Sequence, residues 1–280
     1  MGGQSLDAKS VGVELALGQS VTTLTGKVEI LLTPGVFLRL GPNSSAKLVA
    51  AGLTDTQVQL DQGRAMIEVD QIFPENHLRV LQGAFSIDLQ KKGFYDFDAA
   101  RNQVRVFDGE ALASDNAHHV ELKGGHELNF VVGDMKSHGF DKKGFEDDLY
   151  NWSRLRSSYL AEANIGQASV YAGGVGFYGA GWYWNPWYSA YTFIPGDGFF
   201  YNPFGWGFYS PWWVYRAPYY RGYYGHYYGG YRSFAHYAPP AAFAGGYRGG
   251  VVAGGHFSPA PAPAFHGGIS GGGGFRGGRR

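Results

Sequence analysis

A short pattern of apolar and polar positions recurs through the first 130 residues of the chain. It reads apolar, any, apolar, any, any, Gly, any, any, apolar, and it occurs in VELALGQSV (13–21), VQLDQGRAM (58–66), VRVFDGEAL (104–112) and VELKGGHEL (120–128). Alternating apolar residues turn one face of a β-strand inward, and glycine permits the positive φ of a tight turn. The pattern therefore predicts a strand, a tight turn and a returning strand around each of Gly18, Gly63, Gly109 and Gly125.

The stretches between these segments also favour strands. FLRLGPNSSAKL (37–48) is a looser copy of the pattern, VEILL (28–32) and FSIDL (85–89) are strand-like, and FYDF (94–97) alternates aromatic and polar residues. Short strands spaced about 8–12 residues apart are typical of a sandwich, a barrel or a short solenoid. The spacing is irregular, which argues against a regular β-helix. We therefore predict an all-β domain.

The periodicity becomes helical between residues 140 and 165. Apolar side chains recur there at three- and four-residue steps, at Phe145, Leu149, Trp152, Leu155 or Arg156, and Tyr159. Asp141 can cap the start of a helix, and Asn164 with Gly166 can end it. The segment predicts one amphipathic α-helix packed on the β domain, and a helix that binds a partner is the alternative.

Composition divides the chain after this helix. The net charge is zero, but residues 1–170 carry −6 and residues 171–280 carry +6. The second part holds 34 of the 47 aromatic residues and 27 of the 45 glycines, and its only acid is Asp197. It consists of a Trp/Tyr/Gly/Pro-rich segment (171–220) and a low-complexity Gly/Tyr/Arg/Ala/Pro tail (221–280). This asymmetry indicates two physically different parts.

Four interpretations of the aromatic segment compete. Its lack of aliphatic residues and its many Gly and Pro residues argue against a buried core, and the absence of an apolar span argues against a membrane anchor. Exposed Trp and Tyr rings suit stacking on sugars, while Tyr and Arg spaced by Gly form weak π and cation–π contacts without one structure. We expect a largely disordered tail that follows a domain already complete by about residue 165. The residues expected to make its contacts are Trp182, Trp184, Trp187, Trp206, Trp212, Trp213, Tyr215, Arg216 and Arg221.

The sequence shows no sign of catalysis, a metal site or a cofactor. It has no cysteine, which excludes disulfides, thiol catalysis and cysteine-ligated metal, and it has no nucleophile elbow, phosphate loop or HExxH motif. Asp96 and Asp98 share one face of a predicted strand, where we expect a solvated surface rather than an acid–base pair. No run of about 18 apolar residues is present, so no membrane span is predicted. Solvated loop positions, rather than metal ligands, are expected for His118, His119, His126 and His138.

The strand motifs resemble those of the FecR domain family. The resemblance covers roughly residues 10–132. The chain is similar to acidobacterial FecR-domain proteins, which pair this domain with an aromatic, Gly-rich C-terminus. It implies an extracytoplasmic all-β module that is jelly-roll-like or solenoid-like. The motifs, in the family's order, are FLRLGPNSSAKL (37–48), VQLDQGRAMIEV (58–69), LRVLQGAFSIDLQKKGFYDF (78–97), QVRVFDGEAL (103–112) and VELKGGHEL (120–128).

The resemblance also implies a location and a role. The best-known members of the family are signalling regulators that join a TonB-dependent receptor to a cytoplasmic sigma factor. This chain departs from that design, since it has neither the predicted membrane helix nor the N-terminal segment that would bind a sigma factor. What carries over is the module and a periplasmic or secreted location. Family members usually carry a signal peptide and a first strand before a segment like GQSL (3–6), so we expect that this chain begins at an internal methionine and lacks both.

These observations predict a non-enzymatic envelope or secreted protein of a bacterium. Its β domain would act as a sensory, protein-interaction module that recognises a receptor or sensor in the envelope. The alternative is a structural or adhesive protein whose aromatic tail binds polysaccharide or self-associates. We expect no nucleic-acid partner, because arginines are sparse in the Arg-Gly end.

Overall fold

Two seven-stranded β-sheets that face each other make up most of the structure. The computed structural model describes residues 6–7, 10–115, 117–130 and 135–217. Within these residues the strands of the two sheets, in chain order, are β1 (Ser20–Thr22), β2 (Val28–Leu31), β3 (Val36–Leu40), β4 (Ser45–Ala51), β5 (Asp55–Gln62), β6 (Arg64–Val69), β7 (His77–Gln82), β8 (Phe85–Leu89), β9 (Gly93–Asp98), β10 (Gln103–Asp108), β11 (Glu110–Ser114), β12 (His119–Lys123), β13 (His126–Asn129) and β14 (Ser137–Gly139).

The two sheets differ in what covers their outer faces. The sheet with strand order β1-β4-β5-β7-β8-β11-β12 is called the open sheet here, because its strands alternate buried and more exposed residues. The sheet with order β14-β13-β10-β9-β6-β3-β2 is called the covered sheet, because its central strands are buried on both faces. Neighbouring strands are antiparallel except for β5 and β7, which run parallel. The aliphatic core, including Ile30, Leu38 and Val58, lies between the sheets.

Three of the four predicted turn glycines carry the chain from one sheet to the other. Gly63 links β5 to β6, Gly109 links β10 to β11, and Gly125 links β12 to β13, with φ values of +74°, +98° and +87°. The positive φ is as predicted, but the following strand pairs in the facing sheet rather than returning beside the first. A side chain at Gly63 would collide with Ser44 and the backbone of Asn43, so space as well as φ requires glycine there.

The predicted helix is present with shifted bounds. A 3₁₀ turn (Lys142–Phe145), capped by Asp141, precedes helix α1 (Asp148–Val170). Asp147 caps α1, since its carboxylate accepts hydrogen bonds from the backbone N–H groups of Leu149 and Tyr150. The helix continues past Asn164 and Gly166, because the Asn164 side chain is engaged with elements that follow the helix instead of ending it.

The aromatic segment is folded up to the last described residue. It forms two hairpins, β15 (Gly181–Asn185) with β16 (Ala190–Ile194) and β17 (Phe199–Tyr201) with β18 (Gly207–Tyr209), followed by a 3₁₀ turn (Val214–Arg216). Phe193 and Phe208 are fully buried against Leu160 of α1 and Phe37 of β3. The all-β class with one helix is confirmed.

The expectation of a domain complete by residue 165, followed by a segment without one structure, is wrong for residues 181–217. The aliphatic partners that this segment lacks are supplied by the sheet and the helix. Residues 218–220, and the tail predicted over 221–280, lie outside the described residues.

Candidate interaction surface

A row of charged side chains crosses the outer face of the covered sheet. Strand register places Glu29, Arg39, Met66, Asp96, Arg105 and Glu127 side by side on β2, β3, β6, β9, β10 and β13. Opposite charges therefore neighbour each other on both sides of Met66. Opposite-charge pairs directly across strands stabilise a sheet, and here helix α1 covers the row.

Arg39 and Glu68 are the centre of this buried layer. The Arg39 side chain is fully buried, with Nε 2.8 Å from Glu29 Oε2 and Nη1 2.5 Å from Glu68 Oε2. The second oxygen of Glu68 accepts hydrogen bonds from Ser157 Oγ of α1 at 2.6 Å and from Asn202 Nδ2, just after β17, at 2.8 Å. Three elements of the fold thus meet at one carboxylate, and removing one member would leave a buried charge without compensation.

The neighbouring carboxylates have opposite electrostatic environments. Burial alone would raise the pKa of Glu29, but the guanidinium groups of Arg156 and Arg39 outweigh it, and the pKa of Glu29 lies below its usual range. Burial, reinforced by the carboxylate of Glu68, raises the pKa of Asp70 well above its usual range. Neither oxygen of Asp70 has a hydrogen-bond partner among the described residues, which favours the neutral acid.

Asp96 joins the second half of the row to the start of α1. Its carboxylate lies 2.7 Å from Arg64 Nε and 2.9 Å from Arg105 Nη1, and Arg64 also pairs with the helix-capping Asp147. Asp96 and Asp98 are 1% and 6% exposed, so the expectation of a solvated strand face is wrong for both. Arginine partners, rather than solvent, balance the Asp96 charge.

The histidines lie apart from any metal-binding arrangement in the described structure. His118 Nδ1 lies 3.4 Å from Asp115 Oδ1, and His126 lies beside Gly139 in the register of β13 and β14. No group of three His, Asp or Glu residues within the described ranges could hold a metal ion. No helix in those ranges is long and apolar enough to cross a bilayer.

The first hairpin presents aromatic residues in two different ways. Trp182 packs inward, 5.2 Å from the ring of Phe37 and 5.8 Å from that of Phe193. Trp184 and Trp187 point outward and are 41% and 82% exposed. Trp182 is therefore a packing residue, while Trp184 and Trp187 lie at the surface.

The second hairpin and the 3₁₀ turn bring together three of the other six predicted contact residues, Trp213, Tyr215 and Arg216. The Phe199 ring lies between two others, with centroid distances of 5.8 Å to Tyr201 and 5.7 Å to Trp213. The Arg216 guanidinium lies 4.2 Å from the Trp213 ring and 5.9 Å from that of Tyr215. We call these five residues the aromatic strip. Sequence reasoning missed Phe199 and Tyr201, whose alternation with Phe200 is the only local signal.

A ring contact and a hydrogen bond support the strip from the second hairpin and the loop before it. Phe199 stacks on Tyr209 at 5.6 Å, and Trp213 Nε1 donates a hydrogen bond to the exposed Asp197 at 3.2 Å. Burial and the neighbouring Tyr201 raise the pKa of Tyr209 to about 12. Trp206 and Trp212 are 38% and 47% exposed. Arg221 lies outside the described residues.

Two solved structures show a distant likeness to this chain. Both are described as proposed anti-sigma factors from Parabacteroides distasonis ATCC 8503. The first is 13% identical, with a TM-score of 0.39, and the match covers 45% of this chain and 61% of that one. The second is 11% identical, with a TM-score of 0.41, and the match covers 64% of this chain and 99% of that one. The chain thus spans less than two thirds of the first structure.

The family comparison is more specific. No curated protein matches the chain. Residues 19–112 match the family described as FecR protein, a range that begins beside β1 and ends within β11. The match contains Arg39, Glu68 and Asp96 of the buried charged layer but neither α1 nor the hairpins. The order of strand motifs predicted this outcome: the chain carries a FecR domain, matched over residues 19–112.

Proposed function

We propose that the protein is a non-enzymatic signalling module of the bacterial cell envelope, periplasmic or secreted, which recognises a receptor or sensor protein. The FecR match over residues 19–112 is the observation that carries this proposal. The fold supports a binding role, because the chain's own helix and hairpins occupy one face of the sandwich, while the outer positions of the open sheet are partly exposed in the described structure.

The open sheet is the surface proposed for the partner. Across β5, β7, β8, β11 and β12, register aligns Gln57, Arg79, Asp88, Leu112 and Glu121 on its outer face. Arg79 Nε lies 2.7 Å from Asp88 Oδ1, and both side chains are partly exposed. A flat face of mixed charge around an apolar residue resembles the polar interfaces of non-obligate complexes.

Charge reversal on this face tests the proposal. The full chain carrying a tag would be used to capture proteins from an envelope extract, alongside Arg79→Glu and Arg101→Glu. Each arginine pairs with one aspartate, Asp88 or Asp98, but Arg101 is exposed and lies in the turn between β9 and β10, away from the open sheet. We expect Arg79→Glu to lose the captured partner and Arg101→Glu to keep it. Capture of the same proteins by both variants would contradict an open-sheet interface.

A second candidate function is adhesion to polysaccharide through the first hairpin. Trp184 and Trp187 are exposed on a hairpin that is anchored by the buried Phe193, which provides the rigid presentation that ring stacking on sugars requires. Co-sedimentation of the full chain with an insoluble glycan tests it. Trp187→Ala should reduce the bound fraction, whereas Tyr178→Ala, at a residue that is 92% exposed in the loop before the hairpin, should not. Equal retention of both variants would reject this candidate.

A further inference from the structure

The aromatic strip ends where the remaining chain begins. Ala217, the last described residue, follows Arg216 directly and is buried, so the remaining chain is attached next to Tyr215 and Trp213. The next residues are Pro218 and then YYRGYYGHYYGGYR (219–232). A segment tethered at the edge of a surface has an effective concentration there in the millimolar range when the linker is short. The tether therefore favours contact within one chain over contact between chains.

Charge also favours this contact. Residues 1–217 carry a net charge of −6, and residues 218–280 carry six arginines and no acid. The exposed carboxylate of Asp197 lies at the edge of the strip, where its Oδ1 accepts hydrogen bonds from Trp213 Nε1 and from the backbone N–H of Gly198. Opposite net charges draw the two parts together, and Asp197 is the anionic group at the strip, whose own cation is Arg216.

The strip already shows the contact that the following residues could repeat. Arg216 lies over the Trp213 ring at 4.2 Å, within the range of a cation–π interaction. The rings of Tyr201, Phe199 and Trp213 are 5.7–5.8 Å apart, close to the spacing of about 6.6 Å between alternate residues of an extended chain. Tyr219, Arg221 and Tyr223 are alternate residues. In an extended conformation, alternate residues of this sequence would be spaced about 1 Å wider than the rings of the strip.

We propose that residues 219–232 bind the aromatic strip of the same chain, with Arg221 and Arg232 directed to its rings and to Asp197. The strip is then an intramolecular interaction surface whose occupant is the chain's own Tyr/Arg/Gly segment. A partner that uses these rings would first have to displace that segment. This inference does not depend on the envelope role proposed above.

Paramagnetic labelling of the full chain tests the contact directly. The chain contains no cysteine, so Gly225→Cys provides a single site for a nitroxide label, and Ser270→Cys provides a control site far along the tail. We expect the label at position 225 to broaden away the NMR signals of the Trp213 indole and of the Phe199–Tyr201 amides, and the label at position 270 to leave them visible. Persistence of these signals with the label at 225 would overturn the proposal.

Two further measurements separate the alternatives. The first mixes equal amounts of isotope-labelled chain without nitroxide and unlabelled chain with nitroxide. Broadening of the NMR signals of the strip in this mixture would mean contact between copies and would overturn the intrachain proposal. In the Gly225→Cys background, Arg221→Gln with Arg232→Gln should abolish the broadening. The matched pair Arg279→Gln with Arg280→Gln, which removes the same charge, should preserve it. Equal loss in both pairs would show nonspecific charge attraction and would also overturn the proposal.

Discussion

At the residue scale, Asp70 is a buried carboxyl group whose surroundings disfavour its charged form. Asp70 directly follows β6 and is 2% exposed, and both of its carboxylate oxygens lack a hydrogen-bond partner among the described residues. Burial raises its pKa, and the nearby Glu68 carboxylate raises it further. Arg39 and Lys92 partly oppose that rise. A carboxyl group whose pKa is raised by folding contributes stability that is fully present below its unfolded pKa of about 3.9 and is lost as the pH rises through the folded pKa.

We therefore expect Asp70→Asn to remove a pH-dependent cost of folding. The amide matches the neutral acid in shape and carries no charge at any pH. The free energy of unfolding of the variant should be close to that of the parent below about pH 4 and exceed it by about 1–3 kcal/mol near neutral pH. Urea unfolding across this range measures the difference, and a difference that is independent of pH would contradict the assignment.

Two glycines distinguish the free-energy cost of a positive φ from that of a steric clash. Gly18 and Gly63 have φ values of +77° and +74°, but a Cβ at Gly18 would meet nothing within 4 Å, whereas one at Gly63 would collide with Ser44 and Asn43. Gly18→Ala should lower the free energy of unfolding by about 1–2 kcal/mol through φ alone. Gly63→Ala should cost about 2–4 kcal/mol more, because neither the Asn43 backbone nor the sheet crossing can move away. Equal losses in denaturant unfolding would show that the crossing tolerates a side chain.

At the element scale, one side chain of α1 holds both hairpins. Asn164 is fully buried, and its Nδ2 donates hydrogen bonds to the carbonyl oxygens of Phe193 at 2.8 Å and Tyr209 at 3.1 Å. Its Oδ1 accepts a hydrogen bond from the backbone N–H of Tyr209 at 2.8 Å. Because β16 and β18 belong to different hairpins, this amide sets their position relative to each other.

Asn164→Ala should loosen both hairpins together. The substitution removes three buried hydrogen bonds to backbone groups and should lower the free energy of unfolding by about 3 kcal/mol or more. Hydrogen exchange should become faster in β16 and β18 alike. Asn151→Ala is the matched control on the same helix, because Asn151 is exposed and bonds only locally to Glu146, and it should leave exchange unchanged. Faster exchange in one hairpin alone would refute the shared role of Asn164.

The sequence predicts the elements better than it predicts their contacts. The glycine-centred pattern identifies the strands, and the three- to four-residue steps identify α1, because both signals are local. The charges on the covered sheet have no such signal: Arg39 and Glu68 alternate with apolar residues as they would on a solvated face. Only the fold shows that Arg39 lies opposite Glu29 in the strand register and forms a diagonal ion pair with Glu68. The aromatic segment lacks aliphatic residues of its own, and Leu31 and Phe37, which complete its core, are more than 140 positions away.

At the scale of the whole molecule, the hairpins are part of one folding unit with the FecR domain. Leu31 and Phe37 belong to the outer face of the covered sheet and are buried against Phe193 and Phe208. Asn202 donates to Glu68 at 2.8 Å and also to Ser157, so removing the hairpins uncovers apolar surface and takes a hydrogen-bond donor from a buried carboxylate. The boundary of the stable domain therefore lies beyond the end of the family match at residue 112.

A comparison of two shortened chains tests this boundary. A chain ending at Ala217 keeps every described element, whereas one ending at Gly173 keeps the sandwich and α1 but loses both hairpins. Because burying a side chain such as Leu31 or Phe37 stabilises by about 1.5–3 kcal/mol, the shorter chain should be less stable by at least about 3 kcal/mol. It should also bind a dye such as ANS, which reports exposed apolar surface. If the shorter chain unfolded at the same urea concentration and bound no dye, the sandwich and helix would be complete without the hairpins, and the aromatic segment would be an appendage after all.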